Sequence, residues 1–174
     1  MIWFTSDTHF SHANIILYTS RPFKDVYEMN DALIANINAV VKEDDTLWHL
    51  GDVSLNPAAV KHNIPRINCK NLLLIAGNHD RVWSMKEKWI NLYKEWGFTE
   101  IHKEPVIGYF NDVFFTLAHH YDRERIPRPG FLLHGHSHQP PEKAYNKEDQ
   151  RLDVGVDGHS YSPWSLDEIL ELIK

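Results

Sequence analysis

The sequence is poor in cysteine and in long apolar runs, and each shortage excludes a class of protein. Cys69 is the single cysteine in 174 residues, so an intrachain disulfide is excluded and a reducing compartment is favoured. Apolar residues never run for the roughly 18 positions that a membrane-spanning helix needs. Met1–Asp7 is too short, and lacks the basic start, for a signal peptide. We therefore expect a cytoplasmic protein with no membrane partner.

Positive charge is also scarce, with 18 Lys and Arg against 24 Asp and Glu and a formal net charge of −6. This balance provides no broad cationic face, so a nucleic-acid partner is allowed but not favoured. Bound divalent ions would return positive charge locally, and a phosphate group would then be attracted despite the acidic total. The charge balance therefore does not exclude an enzyme that acts on phosphate esters.

The sequence does have enough apolar residues for a core, and it has a surplus of histidine. Hydrophobic residues make up 43% of the chain, with six tryptophans, and the length corresponds to a single domain over residues 1–174. Most of the twelve histidines lie at predicted strand ends or in loops rather than on helix faces. That distribution indicates a ligand-binding role for several of them.

Strand and helix signals alternate early in the chain and hairpin signals dominate later, which is typical of a layered α/β fold with mixed sheets. Apolar runs predict strands at Met1–Thr5, Thr46–Leu50, Leu72–Ala76, Pro105–Tyr109, Val113–Leu117, Phe131–Leu133 and Leu152–Val156. Capping signals and apolar periodicity predict helices from Asp25 to about Val41, after Asn56-Pro57, over Trp83–Trp96, and after Ser165. The long polar loops are predicted at Phe10–Lys24, Tyr121–Gly130 and Gln139–Arg151.

Five short polar phrases follow five of the predicted strands, each at the carboxyl end of its strand. They are Asp7-Thr8-His9, Gly51-Asp52, Gly77-Asn78-His79-Asp80, His119 and Gly135-His136-Ser137-His138. Because open α/β sheets bind ligands in the crevice beyond the carboxyl ends of their strands, we expect these donors to line one rim.

The spacing within two phrases suits a shared ion. Asp7 and His9 are two residues apart, and on an extended segment such residues point to the same side. His136 and His138 have the same spacing and could serve one ion each or share one. The carboxylate of Asp52 has two oxygens and could bridge two cations.

The complete donor set contains nitrogen and oxygen but no thiolate, since Asn78 adds an amide oxygen and His119 another imidazole. Such a set suits manganese, iron, zinc or nickel, and we expect two divalent ions, with manganese as the first choice. Two ions about 3.5–4 Å apart can clamp the attacking and leaving oxygens of a phosphoryl displacement. We therefore expect hydrolysis of a phosphate ester by a metal-bound hydroxide, with no covalent intermediate.

Each phrase taken alone also has a purely structural interpretation. Asp-x-His occurs by chance, Gly77–Asp80 could be a turn because Gly and Asn tolerate left-handed backbone, and His-x-His could be an exposed strand. Only the five phrases together, in register with five strand ends, favour a metal site. His120 stands beside His119 and could exchange roles with it.

In this order the phrases resemble the calcineurin-like metallophosphoesterases, and the resemblance covers nearly the whole chain. It is greatest for the small members found in bacteria and phages, down to Asn14-Ile15-Ile16 and Arg21-Pro22-Phe23. The resemblance implies a four-layer α/β/β/α sandwich of two mixed sheets, with the metal site at the C-terminal strand ends.

The resemblance also implies roles for individual residues. One ion would be held by Asp7, His9, Asp52 and His138. The other ion would be held by Asp52, Asn78, His119 and His136. His79 would act at the leaving-group oxygen as a catalytic general acid or charge stabiliser, with Asp80 orienting its ring.

The second phrase departs from one branch of the family. Protein phosphatases and symmetrical dinucleoside-tetraphosphate hydrolases carry Gly-Asp-x-x-Asp-Arg-Gly, whereas this chain has Gly51-Asp52-Val53-Ser54-Leu55-Asn56-Pro57. The missing Asp and Arg argue against a protein phosphatase, and no length is left for a capping domain. We expect phosphodiesters ahead of monoesters, with a small phosphate ester or nucleotide as substrate.

Candidate substrate-binding residues are found near two of the phrases. A guanidinium can grip two phosphate oxygens, which favours Arg21 and Arg81, and Asn14 lies in the same loop as Arg21. His12 is a further candidate in that loop. An extended or nucleotide substrate could also contact a second group of arginines, Arg123, Arg125 and Arg128.

Two other functions stay open at this point. One is a non-catalytic protein-interaction module on the same fold, in which the ligand set would be degraded; here every ligand position and His79 are filled. The other is a nuclease that acts on nucleic-acid ends, which steep salt dependence of binding would support.

Overall fold

Two five-stranded sheets form the framework of the part of the chain that the computed structural model describes, residues 1–103, 105–121 and 129–174. In chain order the strands are β1 (Ile2–Thr5), β2 (Thr46–His49), β3 (Asn71–Ile75), β4 (Glu100–His102), β5 (Val106–Phe110), β6 (Val113–Leu117), β7 (Phe131–His134), β8 (Tyr145–Asn146), β9 (Arg151–Asp153) and β10 (Trp164–Ser165). The α-helices are α1 (Ala13–Tyr18), α2 (Val26–Val40), α3 (Pro57–Asn63), α4 (Glu87–Glu95), α5 (Pro141–Ala144) and α6 (Leu166–Leu172).

Both sheets are mixed. The first has the order β10-β1-β2-β3-β4, in which β1 to β4 are parallel and β10 is antiparallel to β1. The second has the order β5-β6-β7-β9-β8, with a parallel centre and an antiparallel strand at each edge. The predicted α/β architecture of two mixed sheets with flanking helices is confirmed.

Side chains along each strand of the first sheet point alternately to its two faces, and this divides the core into two layers. The register aligns Trp3 with Leu47 and Leu47 with Leu72, and these residues pack with Met29, Leu33 and Val60 of the helices. The neighbouring residues point to the other face, because successive side chains of a strand alternate. There Phe4, Trp48 and Ile75 pack against the second sheet through Phe115, Leu133 and Leu152.

Helix starts follow the predicted capping signals. Asp25 accepts the backbone N–H groups of Tyr27 and Glu28 and begins α2, and Asn56 with Pro57 begins α3. Ser165 forms a complete capping box with Glu168 at the start of α6. Among the described residues, none of these helices combines the length and apolar character that crossing a bilayer would require.

Three local predictions differ from the structure. The helix predicted over Trp83–Trp96 is interrupted, because Met85 has a left-handed φ of +50° after a 3₁₀ turn over Arg81–Ser84, and α4 begins only at Glu87. Two predicted loops contain short elements: Phe10–Lys24 contains α1, and Gln139–Arg151 contains α5 and β8. Most of the third predicted loop, Tyr121–Gly130, lies outside the described residues. Three further strands, β4, β8 and β10, were not predicted, since two or three residues are too short for an alternating pattern.

Candidate metal centre

The predicted donors lie in turns that directly follow strand ends, and these turns are joined through their backbones. The N–H of Asp7 donates to the carbonyl of Gly51 at 3.0 Å, and that of His9 to the carbonyl of Asp52 at 3.1 Å. The N–H of His136 donates to the carboxylate of Asp7 at 2.9 Å. Turns after β1, β2 and β7 therefore form one assembly at the rim shared by the two sheets.

Left-handed backbone is common among the donors. The φ values are +56° at Asp7, +49° at His9, +55° at Asp52, +69° at His136 and +46° at His138. A residue held in a sparsely populated backbone region costs about 1–3 kcal/mol and persists only where the surroundings fix it. The predicted extended geometry of Asp7 and His9 is wrong, since the two side chains converge through a left-handed turn.

Two glycines allow the turns to approach each other closely. A Cβ atom at Gly77 would overlap the backbone and carboxylate of Asp52, and one at Gly135 would overlap Ser6 and the carboxylate of Asp7. The phrases Gly-Asn-His-Asp and Gly-His-x-His thus need glycine because other donors occupy the space of its missing side chain.

Asp52 lies between two groups of donors. Its Oδ2 is 3.6 Å from His9 Nε2 on one side and 3.3 Å from His119 Nε2 on the other. We call Asp7, His9 and His138 the inner trio; Asp7 Oδ1 is 3.9 Å from the Nε2 of each histidine.

The outer trio consists of Asn78, His119 and His136. The Oδ1 of Asn78 is 3.1 Å from His119 Nε2, and the rings of His119 and His136 have centroids 5.1 Å apart. His120 lies close as well, with its ring centroid 4.4 Å from that of His136. The orientation of His119 towards Asp52 and Asn78 favours His119 over His120 as the donor, although His119, His120 and His136 could also hold an ion together.

The inner trio has the chemistry of a cation site. Its potential ligand atoms lie within 4.8 Å of one another. Asp7 Oδ1 and both ring nitrogens of His9 are buried without a hydrogen-bond partner among the described residues. Buried polar atoms without partners are costly, and a divalent cation with a preference for oxygen and imidazole ligands would satisfy both side chains. The residues present therefore fit a metal ion.

The charges around Asp52 also favour a cation. Burial opposes ionisation of Asp52, but the hydrogen bond and charge of His119 hold its pKa well below the usual range. Burial likewise opposes protonation of His119, yet Asp52 and Asp7 raise the pKa of this ring. The carboxylates of Asp52 and Asp7 therefore favour positive charge at this position, and a bound metal ion would supply it.

His79 and Asp80 occupy different environments. The side chain of His79 is 43% exposed, and its Nε2 is 3.9 Å from Asp52 Oδ2 at the mouth of the site. Asp80 is buried, and its carboxylate accepts backbone N–H groups of Gly77, Asp52 and Val53 at 2.9 to 3.0 Å. The predicted orientation of the His79 ring by Asp80 is not observed, because both carboxylate oxygens of Asp80 hold the neighbouring turns together.

Arg21 is not positioned to bind a substrate phosphate. Its side chain is fully buried and forms an ion pair with Asp157, with Nε to Oδ1 at 2.8 Å. The same guanidinium donates to the backbone carbonyls of Asp7 and Thr8. The prediction for Arg21 is corrected, since its donor groups are directed into the protein beneath the inner trio.

Asp157 was missed in the sequence. It accepts a hydrogen bond from His138 Nδ1 at 2.8 Å in addition to those from Arg21. Despite burial, His138 and Arg21 hold the pKa of Asp157 well below its usual range. An acidic residue shortly after the predicted strand Leu152–Val156 is the same signal that identified the five phrases, so Asp157 could have been found.

An open cleft of about 810 Å³ leads to the donors. Histidines line the cleft, and α1 forms one wall through Ile15 and Tyr18. His12, which precedes α1, also lines the cleft, so the structure places this candidate at the site. Asn14 and Arg81 are exposed and do not line this cleft. The group Arg123, Arg125 and Arg128 lies outside the described residues.

The chain is similar to known proteins over nearly its whole length. Residues 1–160 match the calcineurin-like phosphoesterase superfamily domain. An uncharacterized protein of Methanocaldococcus jannaschii, MJ1445, is 36% identical, covering 99% of this chain and 91% of the relative. The Gene 66 protein of Mycobacterium phage L5 is 28% identical, with 99% and 93% covered. The crystal structure of AQ665 from Aquifex aeolicus, a protein of unknown function, matches with a TM-score of 0.73 and 27% identity over 99% of both chains.

Proposed function

The chain belongs to the calcineurin-like phosphoesterase superfamily, and we propose that it is a dinuclear metal-dependent phosphoesterase that prefers phosphodiesters to monoesters. The observation that carries this proposal is the buried Asp7 Oδ1 and His9 ring, which have no hydrogen-bond partner among the described residues. The His9 ring faces the carboxylates of both Asp7 and Asp52. A cation at this position would resolve the unmet charge and hydrogen-bonding capacity of three side chains at once.

Two ions are proposed because Asp52 is close to donors on both of its sides. The inner trio with Asp52 would hold one ion, and the outer trio with Asp52 the other. Bound ions would supply positive charge to the phosphoryl oxygens and acidify a water molecule. Manganese remains the first candidate, with iron, zinc and nickel as alternatives, since the donor set suits all four.

The chain's own residues supply the rest of the proposed chemistry. His79 is exposed at the mouth of the site, where a protonated imidazole would donate to the leaving-group oxygen and offset its developing charge. Asp80 acts indirectly, since its hydrogen bonds to the turn at Asp52 fix the carboxylate that faces both trios.

The shape of the cleft supports the diester preference. The site opens to solvent beside α1 and Tyr161, so an ester with groups on both sides of the phosphorus could enter. A small phosphate ester or a nucleotide fits a cleft of about 810 Å³. We also propose a cytoplasmic location, which the free and buried Cys69 supports.

The test is hydrolysis of bis-p-nitrophenyl phosphate and p-nitrophenyl phosphate by metal-stripped protein to which manganese, zinc, nickel or magnesium is restored. We expect activity only with metal and a higher rate with the diester. His79→Ala should lower kcat by about 10²- to 10⁴-fold, and the matched control His62→Ala, on the exposed side of α3, should leave it unchanged. Folded protein without activity on either ester with any metal would contradict the proposal and favour a binding module.

A further inference from the structure

Arg21 and Asp157 connect the two sides of the inner trio across 136 positions of the sequence. Arg21 Nε and one terminal nitrogen donate to the two carboxylate oxygens of Asp157 at 2.8 and 2.9 Å. Asp157 Oδ2 then accepts the Nδ1–H of His138 at 2.8 Å. The exposed fractions of the three side chains are 0%, 6% and 20%, so these bonds are shielded from solvent.

The same guanidinium also holds the turn that carries the other two donors. Its terminal nitrogens donate to the backbone carbonyls of Asp7 at 2.8 Å and Thr8 at 3.0 Å. Asp7 and His9 on this turn both have left-handed backbone, a conformation that requires support from its surroundings. One side chain therefore fixes the turn of Asp7 and His9 and, through Asp157, the ring of His138.

We propose that Arg21 and Asp157 are positioning residues that set the affinity of the inner trio for its metal ion, an inference that rests on the proposed function. The Asp157 carboxylate keeps the proton of His138 on Nδ1, so that Nε2 is free to face Asp7 Oδ1 at 3.9 Å. A carboxylate behind a ligand histidine also makes the ring a stronger donor. The positive charge of Arg21 keeps the buried carboxylate ionised.

The Nδ1 of His119 in the outer trio has a different kind of partner. There the Nδ1–H donates to the backbone carbonyl of Leu50 at 2.8 Å, a neutral acceptor. Loss of Asp157 should therefore weaken one of the two ions and spare the other. This selectivity distinguishes a positioning role from a general contribution to folding.

The experiment is calorimetric titration of manganese into the metal-stripped full chain, at a temperature where circular dichroism shows each variant folded. In Asp157→Asn we expect one binding step to weaken by about 10- to 100-fold and the other to change by less than about threefold. Arg21→Lys retains the charge but loses the paired hydrogen bonds, and it should weaken the same step by a smaller factor. Excess manganese should restore activity in both variants.

Asp31→Asn is the matched control, because it removes a carboxylate from an exposed ion pair with Arg66 that involves none of the donors, and it should bind both ions normally. Unchanged affinity in Asp157→Asn, or equal weakening of both ions, would overturn the inference while leaving the proposed function intact. If Asp157→Asn does not fold, Arg21→Lys decides, and wild-type affinity in that variant overturns the inference. Wild-type protein that binds no divalent ion would instead refute the proposed function.

Discussion

The inner and outer trios use the same kinds of donor atom but differ in how the protein surrounds them. Asp7 and His9 are 0% and 2% exposed. Arg21 donates to the backbone carbonyl of Asp7, and Asp157 accepts from the ring of His138. In the outer trio, Asn78 and His136 are exposed and only His119 is buried. The difference suggests that a buried ion would be retained as part of the structure, whereas an exposed ion would exchange with water and substrate.

From burial we expect the inner trio to depend more strongly on an ion than the outer trio does. Burial raises the pKa of Asp7 and lowers that of His9, so both side chains lose the ordinary solvation of their charged forms. A cation compensates such a pair directly, because a buried charge without a counter-charge is costly. Water can hydrogen-bond to Asn78 and His136, the exposed donors of the outer trio. We therefore expect these two side chains to depend less on an ion than Asp7 and His9 do.

Substitution of Asp52, which lies between the two trios, should have the largest effect on metal binding and activity. Asp52→Asn keeps the shape of the side chain but removes the charge that faces His9 and His119 at 3.6 and 3.3 Å. We expect loss of both ions and a decrease in kcat/KM on the order of 1,000-fold or more, measured by metal analysis and diester hydrolysis. Retention of two ions by this variant would mean that Asp52 does not bridge the trios.

Single histidine variants compare the trios directly. His9→Ala removes a buried donor of the inner trio and His136→Ala an exposed donor of the outer trio, so His9→Ala should lose the more tightly held ion. With His136→Ala, only the weaker step should change, by about 10- to 100-fold, and activity should return at high manganese concentration. The expected difference between the trios would be refuted if His136→Ala weakened manganese binding more than His9→Ala did in the same titration.

The smallest effect is expected from a glycine variant at the rim, and it concerns the free energy of unfolding. In Gly135→Ala, the new Cβ would overlap Ser6 and the Asp7 carboxylate, and overpacking typically costs about 1–3 kcal/mol. Chemical unfolding in the presence of a chelator measures the decrease in the free energy of unfolding of the metal-free protein. The control Gly158→Ala, whose nearest atoms would be 3.1 Å away, should lose less; an equal loss would show that the rim is not especially tight.

The positions of the donors could be predicted from the sequence, but their geometry could not. Each phrase follows an apolar strand, and strand ends in parallel sheets meet at one edge, so local patterns were sufficient to bring Asp7, Asp52 and His119 together. The left-handed φ of Asp7 and His9 leaves no such pattern. It depends on hydrogen bonds from the distant Arg21 and on the space beside Gly135.

Arg21 illustrates the same limit for individual roles. An arginine in a predicted surface loop suggests phosphate binding, but its partner Asp157 lies 136 residues away, and no local pattern indicates their pairing.

The helix predicted over Trp83–Trp96 was partly wrong for a related reason. Its apolar periodicity continues through Met85, where the chain turns left-handed, because periodicity reports burial and not the backbone angle of one residue.

Anomalous diffraction at the manganese edge, from crystals of manganese-loaded protein, tests the central claim most directly. We predict two peaks, one among Asp7, His9 and His138 and one among Asn78, His119 and His136, with Asp52 next to both. Lower occupancy is expected for the second peak, since two of its three donors, Asn78 and His136, are exposed. A single peak, or a peak remote from Asp52, would contradict the account of two ions held by unequal halves of one site.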